Sequence, residues 1–214
     1  GSACEGYSVT FRLVNRYSYR EGTSRLVDVQ STTFEAGDAT RFDYQEKEII
    51  DNAAGSEKRT LVERGGPDAE GDGEIRLPQS KTFKLASGAM FPMQHQLNVI
   101  EAAMKGEDRY VADVFDGSED VNTVQAIATI GSRIAPGTGK DKDDPQAKAL
   151  QQFAAWPVSI AYFPSGQDAE TPNFQITFNL YENGIASNLV LDYGNMALTG
   201  KLANLEMLQA DDCK

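Results

Sequence analysis

The stretch Phe174-Gln-Ile-Thr-Phe-Asn-Leu-Tyr-Glu-Asn-Gly-Ile-Ala-Ser-Asn-Leu-Val-Leu-Asp192 decides how this chain is read. Phe174, Ile176, Phe178 and Leu180 alternate with polar residues, the period of two of a strand with one buried face. Asn183-Gly184 follows, and both residues tolerate positive φ, which suits a tight hairpin turn. Ile185 to Asp192 returns, Tyr193-Gly194-Asn195 turns again, and Met196 to Met207 closes the pattern. Such a run is an antiparallel meander with short turns.

The same signals extend outward. Tyr7, Val9, Phe11 and Leu13 alternate with polar neighbours and predict a half-buried strand. Arg25 to Thr33 is β-rich, and Phe42 and Tyr44 alternate after the Ala36-Gly37-Asp38 turn. Ile75 with Leu77, then Phe83 with Leu85, form short runs on either side of Pro78. Tyr110 to Phe115 ends in Asp116-Gly117, a strong turn pair. Val121 to Ile130 is rich in Val, Ile and Thr, and Val158 to Phe163 stops at Pro164-Ser165-Gly166. One helix interrupts the strands: Met93, Leu97, Ile100 and Met104 recur on one helical face, with Pro92 near its start and Gly106 just past its end. A shorter helix is expected over Pro145 to Phe153. Gly65 to Gly73 and Ser132 to Asp144 read as mobile surface loops. Neither divides regions of different composition and no fixed-period repeat is present, so residues 1–214 are expected to form a single, mostly-β domain.

Composition narrows the function classes. The chain has 214 residues, 40% apolar and 24% charged, enough for a substantial core. Its formal charge of −12 opposes the counterion displacement that nucleic-acid binding needs, and it disfavours docking on anionic lipid by charge. No apolar run approaches the roughly 18–20 residues of a membrane span. The two cysteines, Cys4 and Cys213, lie at opposite ends and outside any Cys-x-x-Cys pattern. That disfavours a redox motif or a zinc knuckle. Free structural cysteines more often occupy apolar core segments, whereas Cys213 follows Ala210-Asp211-Asp212. A disulfide is the better account, worth up to about 5 kcal/mol for a loop this long, and it points to an oxidising compartment.

Candidate chemistry is sparse. His95 is the only histidine, so a Ser-His-Asp arrangement would have to use it, and no Gly-x-Ser-x-Gly elbow accompanies it. One histidine and two paired cysteines do not make a zinc site. The acidic runs Asp68 to Glu74 and Asp116 to Asp120 miss EF-hand spacing, with Ile127 where the closing glutamate belongs, and read as solvated loops. Gly137-Thr-Gly-Lys140 lacks the first glycine of a phosphate loop, at Ile134, and the hydroxyl after the lysine, at Asp141. No pair among the 32 acidic residues stands out as a glycosidase pair. Two features are candidates for a ligand face: the helix face of Met93, Leu97, Ile100 and Met104, whose methionines suit varied partners, and Trp156. Each has a plainer reading, as helix-on-sheet packing and as a core anchor.

Several segments together carry a resemblance: Gly1-Ser-Ala-Cys-Glu-Gly-Tyr7, Gly88-Ala-Met-Phe-Pro-Met-Gln-His95, Val114-Phe-Asp-Gly-Ser118, Pro157-Val-Ser-Ile-Ala-Tyr-Phe163, Leu180-Tyr-Glu-Asn-Gly184, Leu189-Val-Leu-Asp-Tyr-Gly194, and Leu205-Glu-Met-Leu208 with Cys213. The set resembles the EipB cell-envelope integrity family, periplasmic proteins of alphaproteobacteria, over nearly the whole chain. The resemblance implies a β-spiral, an incomplete barrel made of one curved antiparallel sheet wrapped around one main helix, with a disulfide joining Cys4 to Cys213. It also implies a role in envelope integrity and stress resistance, with no enzyme activity. Family members carry further strands and a signal peptide before the Gly-Ser-Ala-Cys segment, so this chain is expected to be a fragment or a processed form with a bare sheet edge.

The sequence is therefore read as a non-catalytic periplasmic protein without cofactor or metal. Its partner is expected to be another periplasmic or envelope protein, or a lipid-like apolar ligand, with no nucleic acid and no membrane span. Two rivals are a lipid or lipoprotein carrier, which needs an open apolar cavity, and an envelope-acting hydrolase, which needs His95 to meet a serine or carboxylate in a cleft.

Overall fold

The structure, a computed structural model, describes residues 1–118, 120–164 and 169–208. Among these are twelve strands, one α-helix and two short 3-10 helices. The chain divides into two compact units. One holds Gly1–Phe91 and Phe115–Asn122, the other Pro92–Val114 and the described residues from Thr123 onward.

The first unit is a six-stranded antiparallel meander: β1 (Tyr7–Ser18), β2 (Ser24–Glu35), β3 (Arg41–Ile50), β4 (Ala53–Arg64), β5 (Gly71–Leu77) and β6 (Lys81–Leu85), paired in that order. Residues paired across strands point to the same side of a sheet, so the register sorts its faces. Tyr7, Glu35, Phe42, Val62, Gly73 and Phe83 form one row, and Val9, Thr33, Tyr44, Thr60 and Ile75 the next. This face carries the core, where Phe42, Val62, Phe91 and Phe115 are fully buried. The Phe42 and Phe91 rings stack at 5.0 Å, and Phe115 meets Phe42 edge-on. Arg64 caps the stack with its guanidinium 4.1 Å from the Phe91 centroid. It also donates to the carbonyls of Ala39 and Ala89 at 2.8 and 2.6 Å. A buried cation needs such acceptors.

The second unit begins with α1 (Pro92–Lys105) and continues with β7 (Arg109–Val114), β8 (Val124–Ile130), β9 (Ala155–Pro164), β10 (Phe174–Tyr181), β11 (Ala186–Asp192) and β12 (Ala197–Gly200), again paired in chain order. One row of its sheet is apolar across all six strands: Tyr110, Ala128, Ile160, Ile176, Leu191 and Leu198. Helix α1 packs on β7, where Asn98 Nδ2 donates to the Tyr110 hydroxyl at 3.0 Å.

The mostly-β expectation holds, but the single curved sheet does not. Two open antiparallel sheets are present, each with two edges. The segment bearing α1 separates β6 from β7 in sequence, and these two strands do not pair, which ends one ladder and starts another. Smaller differences follow from local chemistry. β4 escaped the sequence reading because its first half is polar and exposed, with burial only from Thr60 on. The closing run from Met196 to Met207 is a strand only over Ala197–Gly200, the helix expected over Pro145 to Phe153 is a 3-10 helix over Pro145–Leu150, and a further 3-10 turn, Lys140–Asp143, lies in the stretch expected to be a loop.

Candidate functional site

The structure buries a different face of α1 from the one the spacing suggested. His95, Val99, Ile100, Ala102 and Ala103 are buried, Met93 is half-buried, and Leu97 and Met104 stand 41% and 67% exposed. Alanines let the helix approach closely, and a reading by large side chains overlooks them. Met104 and Trp156 come together all the same. With Ala103, Gly106, Ile130 and Arg133 they line an open recess of about 360 Å³ at the C-terminal end of α1. Trp156 is 3% exposed, so it acts largely as a core anchor and offers the recess only its margin. Exposed Arg133 supplies a cation at the rim.

His95 is 5% exposed, with its ring 5.9 Å from that of Tyr110. Burial pushes its pKa down to about 4. A base that weak has little drive to take a proton at neutral pH, which speaks against the hydrolase reading. Asp116 caps its own turn, accepting from the backbone and hydroxyl of Ser118 at 2.8 and 2.7 Å, so this carboxylate of the second acidic run closes a turn.

The sequence missed the most elaborate polar cluster. Asp141, inside the supposed mobile loop, is only 6% exposed. Its Oδ2 accepts from Ser187 Oγ at 2.5 Å, Tyr181 Oη at 3.0 Å and Asn179 Nδ2 at 3.4 Å, and its Oδ1 accepts from Asn188 Nδ2. Burial pushes its pKa up, but the donors, Ser187 foremost, outweigh that and hold it below the usual carboxylate range. A bulge makes the cluster possible. Neighbours in a strand point to opposite faces, yet both Ser187 and Asn188 reach Asp141. The β10–β11 register slips between Thr177 and Asn179, and Asn188 takes a left-handed φ of 54°. The adjoining space is about 10 Å³, which admits no ligand.

The broadest unexplained surface is β1. Val9, Phe11 and Leu13 share the core-bearing face of their sheet, yet they are 44%, 53% and 36% exposed. Half-burial was expected there and is not found. Cys4 sits in the preceding loop, closed by hydrogen bonds between Ser2 and Gly6, and its side chain is exposed. Cys213 lies outside the described residues.

Two open antiparallel meanders and one α-helix among the described residues place the chain in the mostly-β class. The crystal structure of a β-barrel-like protein of a domain of unknown function from Brucella abortus superposes with a TM-score of 0.86 at 33% identity, covering 98% of this chain and 85% of that one. The cell envelope integrity protein EipB of Brucella abortus (strain 2308) is 34% identical over 216 residues, 97% of this chain and 72% of that protein. Residues 1–209 match the EipB-like family model. The chain belongs to the EipB-like family. No described helix is long and apolar enough to cross a membrane.

Proposed function

We propose that this chain supports cell-envelope integrity from the periplasm as a binding protein rather than an enzyme, with β1 as its contact surface for another envelope protein or an apolar ligand. Kinship with a protein named for envelope integrity supports the setting. The observation that carries the binding role is the exposed apolar stripe Val9, Phe11 and Leu13 on β1, an edge strand among the described residues; strands ahead of Gly1 in a longer chain are the competing occupant, and a crosslink from Phe11 within one chain would identify them. A long apolar edge presents both unpaired backbone groups and desolvatable side chains, the two ingredients of strand addition. A Cys4–Cys213 disulfide, formed in that compartment, would hold the two ends of the chain together.

The test is site-specific photo-crosslinking in periplasmic protein, with the probe at Phe11 and a control at Gly22. A defined adduct at Phe11 alone is expected. Equal background at both positions, in protein that still restores resistance to envelope stress, would sink the β1 reading. The carrier alternative rests on the recess beside Met104 and Trp156, whose 360 Å³ falls at the small end of ligand pockets. Native mass spectrometry separates the two readings: bound lipid lost on Met104→Glu favours the carrier.

A further inference from the structure

The link from β8 to β9 departs most from its sequence reading, and its geometry suggests a purpose. Rather than looping freely, it is stitched at several points. Ile134 pairs with Ala155, exchanging backbone hydrogen bonds of 2.7 and 3.1 Å. Asp144 caps the second 3-10 turn through the backbone of Gln146, and Gln151 Nε2 donates to the Asp141 carbonyl at 2.8 Å. At its centre the Asp141 carboxylate is bound by side chains of β10 and β11, all four of them neutral. Two hydroxyls and two amides offer only donors to this point, and an ionised carboxylate, an acceptor without protons, is the group that satisfies them all.

The inner side of this link is apolar. Ala147 and Leu150 are buried with Tyr181, and Ile185, Leu202 and Leu205 pack against them. The last two belong to the stretch after β12, which ends at Gly200. Among the described residues of that stretch they are the two half-buried ones, three apart, and both enter this cluster.

We propose that Ile134–Phe153 is a clasp for the C-terminal tail, locked to the β10–β11 hairpin by Asp141, so that releasing the carboxylate frees the clasp and the tail together. The lock is polar and directional, and the seat is apolar. Opening the lock lets the 3-10 turns swing off the hairpin, which removes one wall of the seat that Leu202 and Leu205 occupy. This device is independent of the contact surface proposed on β1.

Hydrogen–deuterium exchange and trypsin cleavage of the whole chain test it. Asp141→Asn keeps the size but turns an amide toward two amide donors. Exchange at Ala147–Leu150 and trypsin cleavage after exposed Lys201, just ahead of Leu202, are expected to rise together, by about tenfold or more, as for the loss of one charge-assisted hydrogen bond. Two gentler variants guard against a folding failure. Asn188→Gly keeps the left-handed backbone and removes one donor, while Leu150→Ala damages the seat and spares the lock. Each should loosen the tail without changing exchange in β1–β6. Faster exchange confined to Lys140–Leu150, with cleavage after Lys201 as slow as in wild type in all three variants, would overturn the proposal.

Discussion

Three residues show how burial converts to measurable behaviour. His95 holds its pKa near 4 in the folded chain against about 6.5 when unfolded. As pH falls below 6.5 the unfolded chain takes up a proton that the folded one refuses until about 4, so stability declines across that window and then levels off. The full effect is about 3 kcal/mol. Urea midpoints at several pH values should show this slope in the native chain and lose it in His95→Gln; equal slopes would mean another group is responsible. Asp141 works in a lower window. Its carboxyl stays ionised in the folded chain below the ordinary value of 3.8, so its contribution is intact above that and fades as pH drops through the folded pKa. Gly37 is constrained sterically, because a Cβ there would collide with the backbone carbonyl of Ala3. Gly37→Ala should lower the melting temperature by forcing the N-terminal loop away. Of these three, only His95 was weighed in the sequence as a candidate functional residue; Gly37 was read as part of a turn and Asp141 as the mismatch in a phosphate loop. Asp141 sat in the mixed-charge run Lys140 to Asp144, and its four partners come from 38 to 47 residues further along the chain. No local pattern marks a carboxylate whose partners are supplied by a bulge in a distant hairpin.

At the scale of elements, alternation revealed that strands exist but not which of them are covered. The hairpin Phe174 to Asp192 is present as read, and so is the strand from Tyr7. Burial on β1 was misjudged because period two reports two unlike faces, not a lid over the apolar one. Phe11 and Phe42 make the contrast testable, since both lie on one face of one sheet. Phe42 is fully buried, and Phe42→Ala should cost about 3–5 kcal/mol by leaving a cavity. Phe11→Ser should change stability by no more than about 0.5 kcal/mol. Thermal melts of the two variants decide it; a comparable loss from Phe11→Ser would show that β1 is covered in solution. Helix α1 carries the same lesson. Its boundaries followed from Pro92 and Gly106, whereas its buried face turned on Ala102 and Ala103, whose small side chains give weak signals.

For the whole molecule, period-two alternation, turn signals and the family resemblance gave the mostly-β class, while the division into two sheets was not visible in the strand pattern. A helix inserted between β6 and β7 reads the same whether a ladder passes it or stops there. The bond proposed between Cys4 and Cys213 belongs to this scale too. Cys4→Ser should lower the stability of oxidised protein, by up to about 5 kcal/mol in the chain-entropy limit, and identical thermal melts would remove the structural role proposed for the bond. The order of the strands has one more consequence. In both sheets every hydrogen-bonded neighbour is also the next strand in sequence. Each strand therefore has a partner as soon as the following connection is made, and a sheet grows hairpin by hairpin at the small entropic cost of short loops, save at the long link from β8 to β9. During synthesis an emerging strand need not wait, exposed, for a mate still to be translated.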